Sequence, residues 1–246
     1  MPLGQRAWKS PQLKRAKLLV GRFIGEGQHL YGVDFKVKDL LVSEKQPSGK
    51  IKRFRSVLKN SEDNWLTRGD FALMQRIYRK FKQANLPVPS FSRTIPKDAS
   101  SRQKIVIVAE NLEKKHGKLY DGHKNGELRF PKQLSIKEDR KLLVDLAKDL
   151  ATIHNLGIAC NYVDYFHFYK KGNSYDRVIV DFDKLEFRSG SKLQKSIYVN
   201  LRSFLKALRY GPGLEPTPEF KFFLKSYLKY ANPEIVPIDW KEFNSD

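Results

Sequence analysis

The sequence is poor in cysteine, in long apolar runs and in acidic side chains. Its single cysteine, Cys160, excludes an internal disulfide and fits a reducing compartment. No apolar run approaches the roughly 20 residues that a membrane-spanning helix needs. The N-terminal segment also lacks the apolar stretch of a secretory signal. We therefore expect a cytoplasmic protein.

Basic residues outnumber acidic ones: the chain has 47 Lys and Arg but only 27 Asp and Glu. The resulting formal net charge of +20 attracts nucleic acid, an anionic membrane surface or a phosphorylated substrate. In residues 1–17, cations surround Trp8 and Leu13, which suits an anionic leaflet. A solvated basic face explains the same segment equally well.

Apolar residues are plentiful: they make up 40% of the 246 residues, enough for a sizeable core in one large domain or two lobes. Over 142–153 they recur three and four residues apart, which predicts a helix. Gly157 can take the left-handed conformation that ends this helix. A β-branched strand over 177–180 then delivers Asp181. Burying that carboxylate is costly unless it meets a cation, such as Mg²⁺ carrying nucleotide phosphates.

Nearer the N-terminus, residues 18–24 and 30–37 are predicted to be two strands joined by a turn. The turn contains Gly25 and Gly27. A Gly-x-Gly turn lets backbone amides approach phosphates, as in glycine-rich nucleotide-binding loops. Two glycines in a hairpin are nevertheless more often only a turn.

Two charged residues follow this hairpin. Lys59 ends a strand predicted over 54–59, where its ammonium group either reaches nucleotide phosphates or decorates the surface. Asp70 lies in the first turn of a helix predicted over 70–84. Its carboxylate there either interacts favourably with the helix dipole or pairs with Lys59.

The second half of the chain is predicted to be largely helical. A strand over 104–109 leads to Glu110 and Leu112, and residues 113–134 are predicted to be a long loop with little packing. Helical spacing returns over 194–208 and 219–230. We expect the C-terminal end to dock, if at all, through Ile238, Trp240 and Phe243.

Taken in order, these pieces resemble the protein-kinase-like superfamily and, within it, the bacterial lipopolysaccharide core kinases, the family of Kdo kinase and the heptose kinases. The similarity covers roughly residues 20–230. The motifs that carry it are Thr67-Arg68 before Asp70-Phe71, Leu86-Pro87-Val88-Pro89, the Leu-x-x-x-His-x-x-Gly-Ile run at 150–158, Asp181-Phe182-Asp183 before Arg188, and the Asn200-Leu201-Arg202 start of 200–206.

The resemblance implies an α+β, bilobal protein-kinase-like fold. Its N-terminal lobe is an antiparallel β-sheet with one helix, and its C-terminal lobe is mostly helical. A basic segment is expected at 1–17, the nucleotide-binding N-lobe at 18–112 and the C-lobe, with the catalytic loop, at 113–246.

The implied activity is transfer of the ATP γ-phosphate to a sugar hydroxyl of the lipopolysaccharide inner core, Kdo or heptose. The implied location is peripheral, at the cytoplasmic face of the inner membrane, with an anionic glycolipid as acceptor. ATP and Mg²⁺ are the implied cofactors. The resemblance assigns the metal to His167 and Asp181, and the nucleotide to Gly25, Gly27, Lys59, Asp70, Glu110 and Leu112.

The sequence departs from the family at the catalytic position. Where the family has an aspartate five residues before the metal ligand, this chain has Tyr162, and a phenol with a pKa near 10 is a poor base at neutral pH. Asp164, two residues on, can take the role if the loop is remodelled. Alternatively the base is lost but activity survives, because positioning and charge neutralisation dominate phosphoryl transfer. The third reading is a pseudokinase that binds nucleotide or a partner without turnover.

An RNA-binding protein is the interpretation from another class. Aromatic residues near the same loop offer rings for stacking on bases: Tyr162, Tyr165, Phe166 and Phe168. Asp164 and Asp181 lie among them, and their charge repels phosphates unless a metal intervenes. Nucleic acid is therefore the least favoured partner.

Overall fold

The computed structural model describes residues 8–9, 16–28, 34–45, 50–61, 68–89, 91–96, 106–110, 112–120, 123–124, 127–128, 136–161, 163, 165–172, 174–180, 182, 185–208 and 217–242. For the strands before residue 112, and at some helix and strand ends, only the backbone is described. The chain divides into two compact units. One comprises Met1–Ala72 with Pro89–Lys115, and the other Leu73–Val88 with His116–Asp246.

The first unit contains a six-stranded antiparallel sheet. Its strands are β1 (Trp8–Lys9), β2 (Ala16–Gln28), β3 (Asp34–Lys45), β4 (Ile51–Ser61), β5 (Phe91–Pro96) and β6 (Val106–Glu110). They lie in the order β1-β5-β6-β4-β3-β2. The central strand β4 has Lys59 opposite Val37 of β3 on one side and Ile107 of β6 on the other.

The glycine pair lies in a strand, which differs from the predicted turn. Strand β2 continues past residue 24, and Gly25 and Gly27 face Val37 and Phe35 across the ladder. The register shifts twice just before Gly25. Such bulges place an extra residue in one strand, and glycine tolerates the backbone angles that result. The strand was predicted to end at residue 24, before the two glycines, whereas β2 continues to Gln28.

The second unit contains most of the helical residues. Its elements are α1 (Arg68–Gln83, which begins in the first unit), α2 (Leu112–His116, which ends here), β7 (Lys118–Tyr120), β8 (His123–Lys124), β9 (Glu127–Leu128), α3 (Ile136–Asn155), β10 (Ile158–Ala159), β11 (Phe166–Lys171), β12 (Ser174–Ile179), β13 (Glu186–Phe187), α4 (Gly190–Ala207), α5 (Pro218–Tyr230) and α6 (Ile238–Glu242). None of the helices in the described part of the chain is long and apolar enough to cross a membrane.

The expected mixture of helices and antiparallel strands is confirmed. The helices predicted from apolar spacing over 70–84, 194–208 and 219–230 correspond to α1, α4 and α5, with ends shifted by a few residues. Their apolar stripes are buried, with Ile77 of α1 and Leu201 of α4 both at 0% exposure. Burial of such stripes is the main source of helix stability in proteins.

Two sequence expectations were wrong. The segment after Leu112 is not one long loop, because β7 pairs with β11 and extends the β11–β12 hairpin to a three-stranded sheet. At the C-terminal end Trp240 docks, with 5% exposure, whereas Ile238 is 65% exposed. Phe243 lies outside the described residues. Both errors concern short segments, whose packing local patterns do not define.

The chain turns sharply at Gly157, as its position after the predicted helix indicated. Gly157 has φ +66°, and a β-carbon there would lie 3.1 Å from the carbonyl oxygen of Arg188. In return, the Arg188 amide donates to the Gly157 carbonyl at 2.7 Å. The glycine therefore permits close contact between the end of α3 and the strand β13.

Gly157→Ala should destabilise the protein more than Gly172→Ala. Both glycines have positive φ, but only Gly157 has a backbone atom in the path of a β-carbon. We expect a loss of about 1 kcal/mol at Gly172 from left-handed strain and about 2–3 kcal/mol at Gly157 from strain plus the close contact. Urea unfolding midpoints measure the difference. Equal losses would mean that the contact with Arg188 costs nothing.

Candidate functional site

The predicted site residues fall into three groups. Tyr162, Asp164 and Asp181 lie outside the described residues, so their predicted roles stay predictions. For Gly25, Gly27, Lys59, Asp70 and Glu110 only the backbone is described: two residues in β2, one in β4, one in the first turn of α1 and one at the end of β6. Leu112 begins α2, and His167 lies in β11 opposite Val178; both side chains are half-buried.

The loop that carries Tyr162 and Asp164 is anchored by a buried amide. Asn200 of α4, fully buried, donates from Nδ2 to the carbonyl oxygen of Cys160 at 3.0 Å. Its Oδ1 lies 3.1 Å from Nε2 of His154 and 3.5 Å from the hydroxyl of Tyr165. One carboxamide thus connects the end of α3 with both ends of the loop.

The hydrogen bonds of His154 define its tautomer. Because Oδ1 of Asn200 can only accept, Nε2 of His154 carries the proton and donates. Nδ1 then accepts from the hydroxyl of Tyr227 in α5, 2.8 Å away. Burial lowers the pKa of His154 to about 4, and burial raises the pKa of Tyr227. Both groups are therefore neutral at pH 7.

Arg188 fixes the loop from the other side. Its Nη1 donates to Oδ1 of Asn161 at 2.7 Å and also contacts the hydroxyl of Ser196 in α4. Nε and Nη2 bond to a carboxylate oxygen of Glu186 at 3.3 and 3.2 Å. Asn161 directly precedes Tyr162 in the sequence. The side chain of the residue before the predicted catalytic position is therefore held by a charged hydrogen bond.

The end of β12 lies between two remote segments. The Val180 amide donates to the carbonyl oxygen of Tyr165 at 2.8 Å, and the Ile179 amide donates to that of Pro87 at 2.8 Å. The loop, the strand that precedes Asp181 and the Leu-Pro-Val-Pro segment after α1 are therefore adjacent. Three motifs separated by up to about 90 residues of sequence meet here.

Phe182, the residue after Asp181, fixes the following turn. It is 4% exposed and its ring lies 5.9 Å from that of Tyr78 and 5.7 Å from that of Phe81, centroid to centroid. Both rings belong to α1. Aromatic pairs at this distance add stability beyond their buried area. Asp181 is thus preceded by a hydrogen-bonded strand and followed by a buried anchor.

A partly buried ion pair joins β12 to α3. Nε of Arg177 donates to Asp149 at 2.9 Å, and its Nη1 lies 3.3 Å from Asp145. Burial raises the pKa of Asp149 to about 6, while the adjacent guanidinium opposes that rise. This pair supports strand β12, which ends at Ile179. The sequence held no signal for it, since the partners are 28 residues apart.

A histidine that the sequence analysis did not use pairs with an aspartate in the same sheet region. Nδ1 of His116 lies 2.6 Å from a carboxylate oxygen of Asp176, and the His116 ring is 5.8 Å from that of Tyr169. The contact joins His116, the last residue of α2, to strand β12 within the second unit.

The described residues contain no group of three or more His, Cys, Asp and Glu side chains that could hold a metal ion. Mg²⁺, however, is usually held by one or two carboxylates together with substrate phosphates, and it prefers oxygen ligands. Asp181 lies outside the described residues, so the predicted metal site there stays a prediction. The imidazole of His167 offers nitrogen and is the weaker candidate ligand.

The rings that would serve RNA stacking are mostly buried. Tyr165, Phe166 and Phe168 are each 0% exposed, and Phe166 packs against Phe204 of α4 with centroids 6.1 Å apart. Stacking on bases requires an exposed ring face. These three aromatics are therefore core residues, and the stacking surface proposed for them is wrong. Tyr162 lies outside the described residues.

No protein-family model matches the chain, and no curated protein sequence matches it significantly.

The His154 network predicts a stability change in acid. The folded pKa of about 4 lies below the model value of 6.5, so the unfolded chain binds the proton more tightly. The contribution of neutral His154 to the free energy of unfolding is complete above pH 6.5. It falls as the pH drops towards 4, by about 3 kcal/mol in total. We expect His154→Gln to remove that loss, measured as urea midpoints at pH 4.5 and 7.5.

Asp149 titrates in the same range with the opposite sign. Its raised pKa favours folding below pH 6. Because Asp149 is present in both the wild-type protein and His154→Gln, its effect cancels when the two are compared. Near-ultraviolet circular dichroism at pH 7.5 checks that the variant keeps its packing. An unchanged pH dependence in His154→Gln would contradict the assigned neutral state.

Proposed function

We propose that this protein is an ATP-dependent phosphotransferase of bilobal, protein-kinase-like fold, acting on a sugar hydroxyl of an anionic glycolipid of the lipopolysaccharide-core type. The observation that carries the proposal is the junction at the end of β12. There the Val180 amide bonds to Tyr165, and the neighbouring Ile179 amide bonds to Pro87. Asp164 is the residue before Tyr165, and Asp181 is the residue after Val180. Each of the two proposed carboxylates is therefore one residue away in sequence from a partner in this hydrogen bond.

This arrangement suits phosphoryl transfer. The reaction depends mainly on positioning and on charge stabilisation, and it requires little covalent chemistry from the protein. Rigid backbone on both sides of a base and a metal-binding carboxylate serves positioning. Asn200 and Arg188 supply that rigidity on the loop side, and Phe182 supplies it beyond Asp181.

The proposed roles follow the resemblance. Lys59 holds nucleotide phosphates, the backbone at Gly25 and Gly27 approaches them, and Glu110 and Leu112 contact the adenine. Asp181, with His167, holds Mg²⁺, and Asp164 takes the proton from the acceptor hydroxyl. Bound Mg²⁺ would neutralise charge on the transferred phosphoryl group.

A non-catalytic kinase-like protein is the second candidate. One observation favours it: Tyr162 stands at the usual position of the base, and its neighbours leave little freedom. Asn161 is bonded to Arg188, Val163 is 4% exposed and Tyr165 is fully buried. Asp164 must therefore reach the acceptor from a loop that is fixed on both sides. Nucleotide binding alone would fit both candidates.

Nucleotide binding is the first test. ATP with Mg²⁺ should raise the melting temperature, because a ligand that binds only the folded state stabilises it. At 100 times the dissociation constant the gain is about 2.7 kcal/mol. We expect Lys59→Ala and Asp181→Ala to abolish the shift.

Matched controls are Lys50→Ala, an exposed lysine just before β4, and Asp183→Asn, the second carboxylate of the Asp-Phe-Asp motif. Both should keep the full shift. If nucleotide raises the melting temperature of neither the wild-type protein nor the substituted forms, both candidate functions are contradicted: the active kinase and the non-catalytic kinase-like protein.

Phosphate transfer onto Kdo-lipid A separates the two candidates. If Asp164 is the base, Asp164→Asn should lower the rate by about 10²–10⁴-fold, the usual contribution of general base catalysis, whereas Tyr162→Phe should have little effect. Radiolabelled γ-phosphate transfer at fixed ATP measures both.

The reverse substitution completes this experiment. Tyr162→Asp restores a carboxylate at the family position. A wild-type protein that binds ATP but transfers nothing, together with a Tyr162→Asp variant that gains turnover, would identify a pseudokinase. Equal rates in wild type and Asp164→Asn would remove Asp164 from the mechanism.

A further inference from the structure

We infer that Asp176, held in place by His116, closes the outer edge of strand β12 and keeps this edge from pairing with β12 of a second copy of the protein. Strand β12 is an end strand of the three-stranded sheet β12-β11-β7. End strands present amide and carbonyl groups that can bond to another chain. Edge closure involves neither nucleotide nor acceptor, so it is independent of the proposed function.

The hairpin between β11 and β12 determines which backbone groups of β12 point outward. Lys171 pairs with Ser174, so two residues form the turn, and the first of them, Gly172, has φ +61°. In such a hairpin the pair that flanks the turn is hydrogen-bonded, and bonded and non-bonded pairs then alternate along the strands. The amides of every second residue of β12 therefore point away from β11: Tyr175, Arg177 and Ile179.

Two of these outward amides have partners within the chain. Ile179 donates to the carbonyl oxygen of Pro87 at 2.8 Å, and Arg177 donates to Oδ1 of Asp176 at 2.9 Å. The other carboxylate oxygen of Asp176 lies 2.6 Å from Nδ1 of His116. One carboxylate thus occupies the donor at the middle of the edge, and the imidazole limits the movement of that carboxylate.

Without this carboxylate, the edge of β12 could pair with the same edge of a second copy. Two antiparallel β12 strands fit about a two-fold axis at residue 176, with Tyr175 of each copy opposite Arg177 of the other. Each of these two pairs exchanges two backbone hydrogen bonds. The same register places Asp176 directly opposite its own equivalent, where like charges repel. Asp176 therefore opposes the pairing twice, by occupying the Arg177 amide and by its charge.

The imidazole that holds the carboxylate is itself positioned by the sheet. The ring of His116 lies 5.8 Å from that of Tyr169, a buried residue of β11 that is opposite Asp176 in the register. The Asp176 side chain is 46% exposed. A pair with this exposure contributes little to the free energy of unfolding. We therefore expect its loss to change the edge more than the stability of the fold.

Hydrogen exchange of the Arg177 amide tests the closure. In dilute protein we expect Asp176→Ala to speed this exchange severalfold relative to wild type, because the amide loses its acceptor. Asp176→Asn keeps a side-chain oxygen at this place and should keep the slow exchange. Asp145→Ala is the matched control, since this carboxylate contacts Nη1 of Arg177 at 3.3 Å rather than the amide. Its exchange should equal that of wild type.

Sedimentation velocity over a range of protein concentrations tests the pairing. We expect Asp176→Ala to self-associate about tenfold more tightly than wild type and Asp145→Ala, because an amide is freed and a like-charge contact is lost. As the dimer forms, exchange at Arg177 and Tyr175 should slow again, which identifies β12 as the interface. His116→Ala loses only the imidazole and should shift both measurements in the same direction by less.

Two results would overturn the inference: equal exchange at Arg177 in wild type and Asp176→Ala, or faster exchange in that variant without any gain in self-association. Near-ultraviolet circular dichroism shows whether Asp176→Ala is folded. If it is not, His116→Ala decides, and unchanged exchange and association in that variant would overturn the inference. Neither assay contains nucleotide, so edge closure can fail while phosphate transfer succeeds, and the reverse.

Discussion

The side-chain amide of Asn200 is the interaction on which the second unit depends. It donates to the Cys160 carbonyl, accepts from His154, and lies within reach of the Tyr165 hydroxyl. All of these groups are buried, and a buried polar group left unpaired costs about 1–3 kcal/mol. The helices α3, α4 and α5 therefore cannot shift independently of the loop, because His154 continues the chain of bonds to Tyr227.

The same network extends to the segments around the predicted site residues Tyr162, Asp164 and Asp181. The loop is held at Asn161 by Arg188 and buried at Val163 and Tyr165. The strand beside it is bonded to Tyr165 and Pro87 and supported by the Arg177–Asp149 pair. These contacts hold the described residues on both sides of the predicted site residues, and none of the groups that make them was itself predicted to be catalytic.

Charge is distributed unevenly between interior and surface. In the interior of the second unit His154 is neutral, and Asp149 is paired with an arginine. On the surface, α4 carries cations along its exposed side with no acid among them. A buried charge is costly unless it is paired, whereas an exposed one is limited mainly by its partners. The exposed cations of α4 therefore carry no burial cost.

The sequence by itself determined what local patterns encode. Apolar spacing gave the helices α1, α4 and α5, and Gly157 was correctly expected to turn the chain in the left-handed conformation. It also located the order of motifs around residues 150–188, on which the kinase-like hypothesis rests. These features depend on residues within a few positions of one another, and helical period and glycine freedom act at that range.

Only the tertiary structure decided which remote residues meet. Nothing in the sequence marks Asn200 as the partner of Cys160 and His154, or Pro87 as the neighbour of Ile179, because hydrogen bonds across 40 to 90 residues leave no local pattern. Phe166 and Phe168, which the sequence offered as a stacking surface, are buried in the core. Ile238, which was expected to dock, is exposed. Each of these outcomes depends on how whole elements pack, which a single segment does not specify.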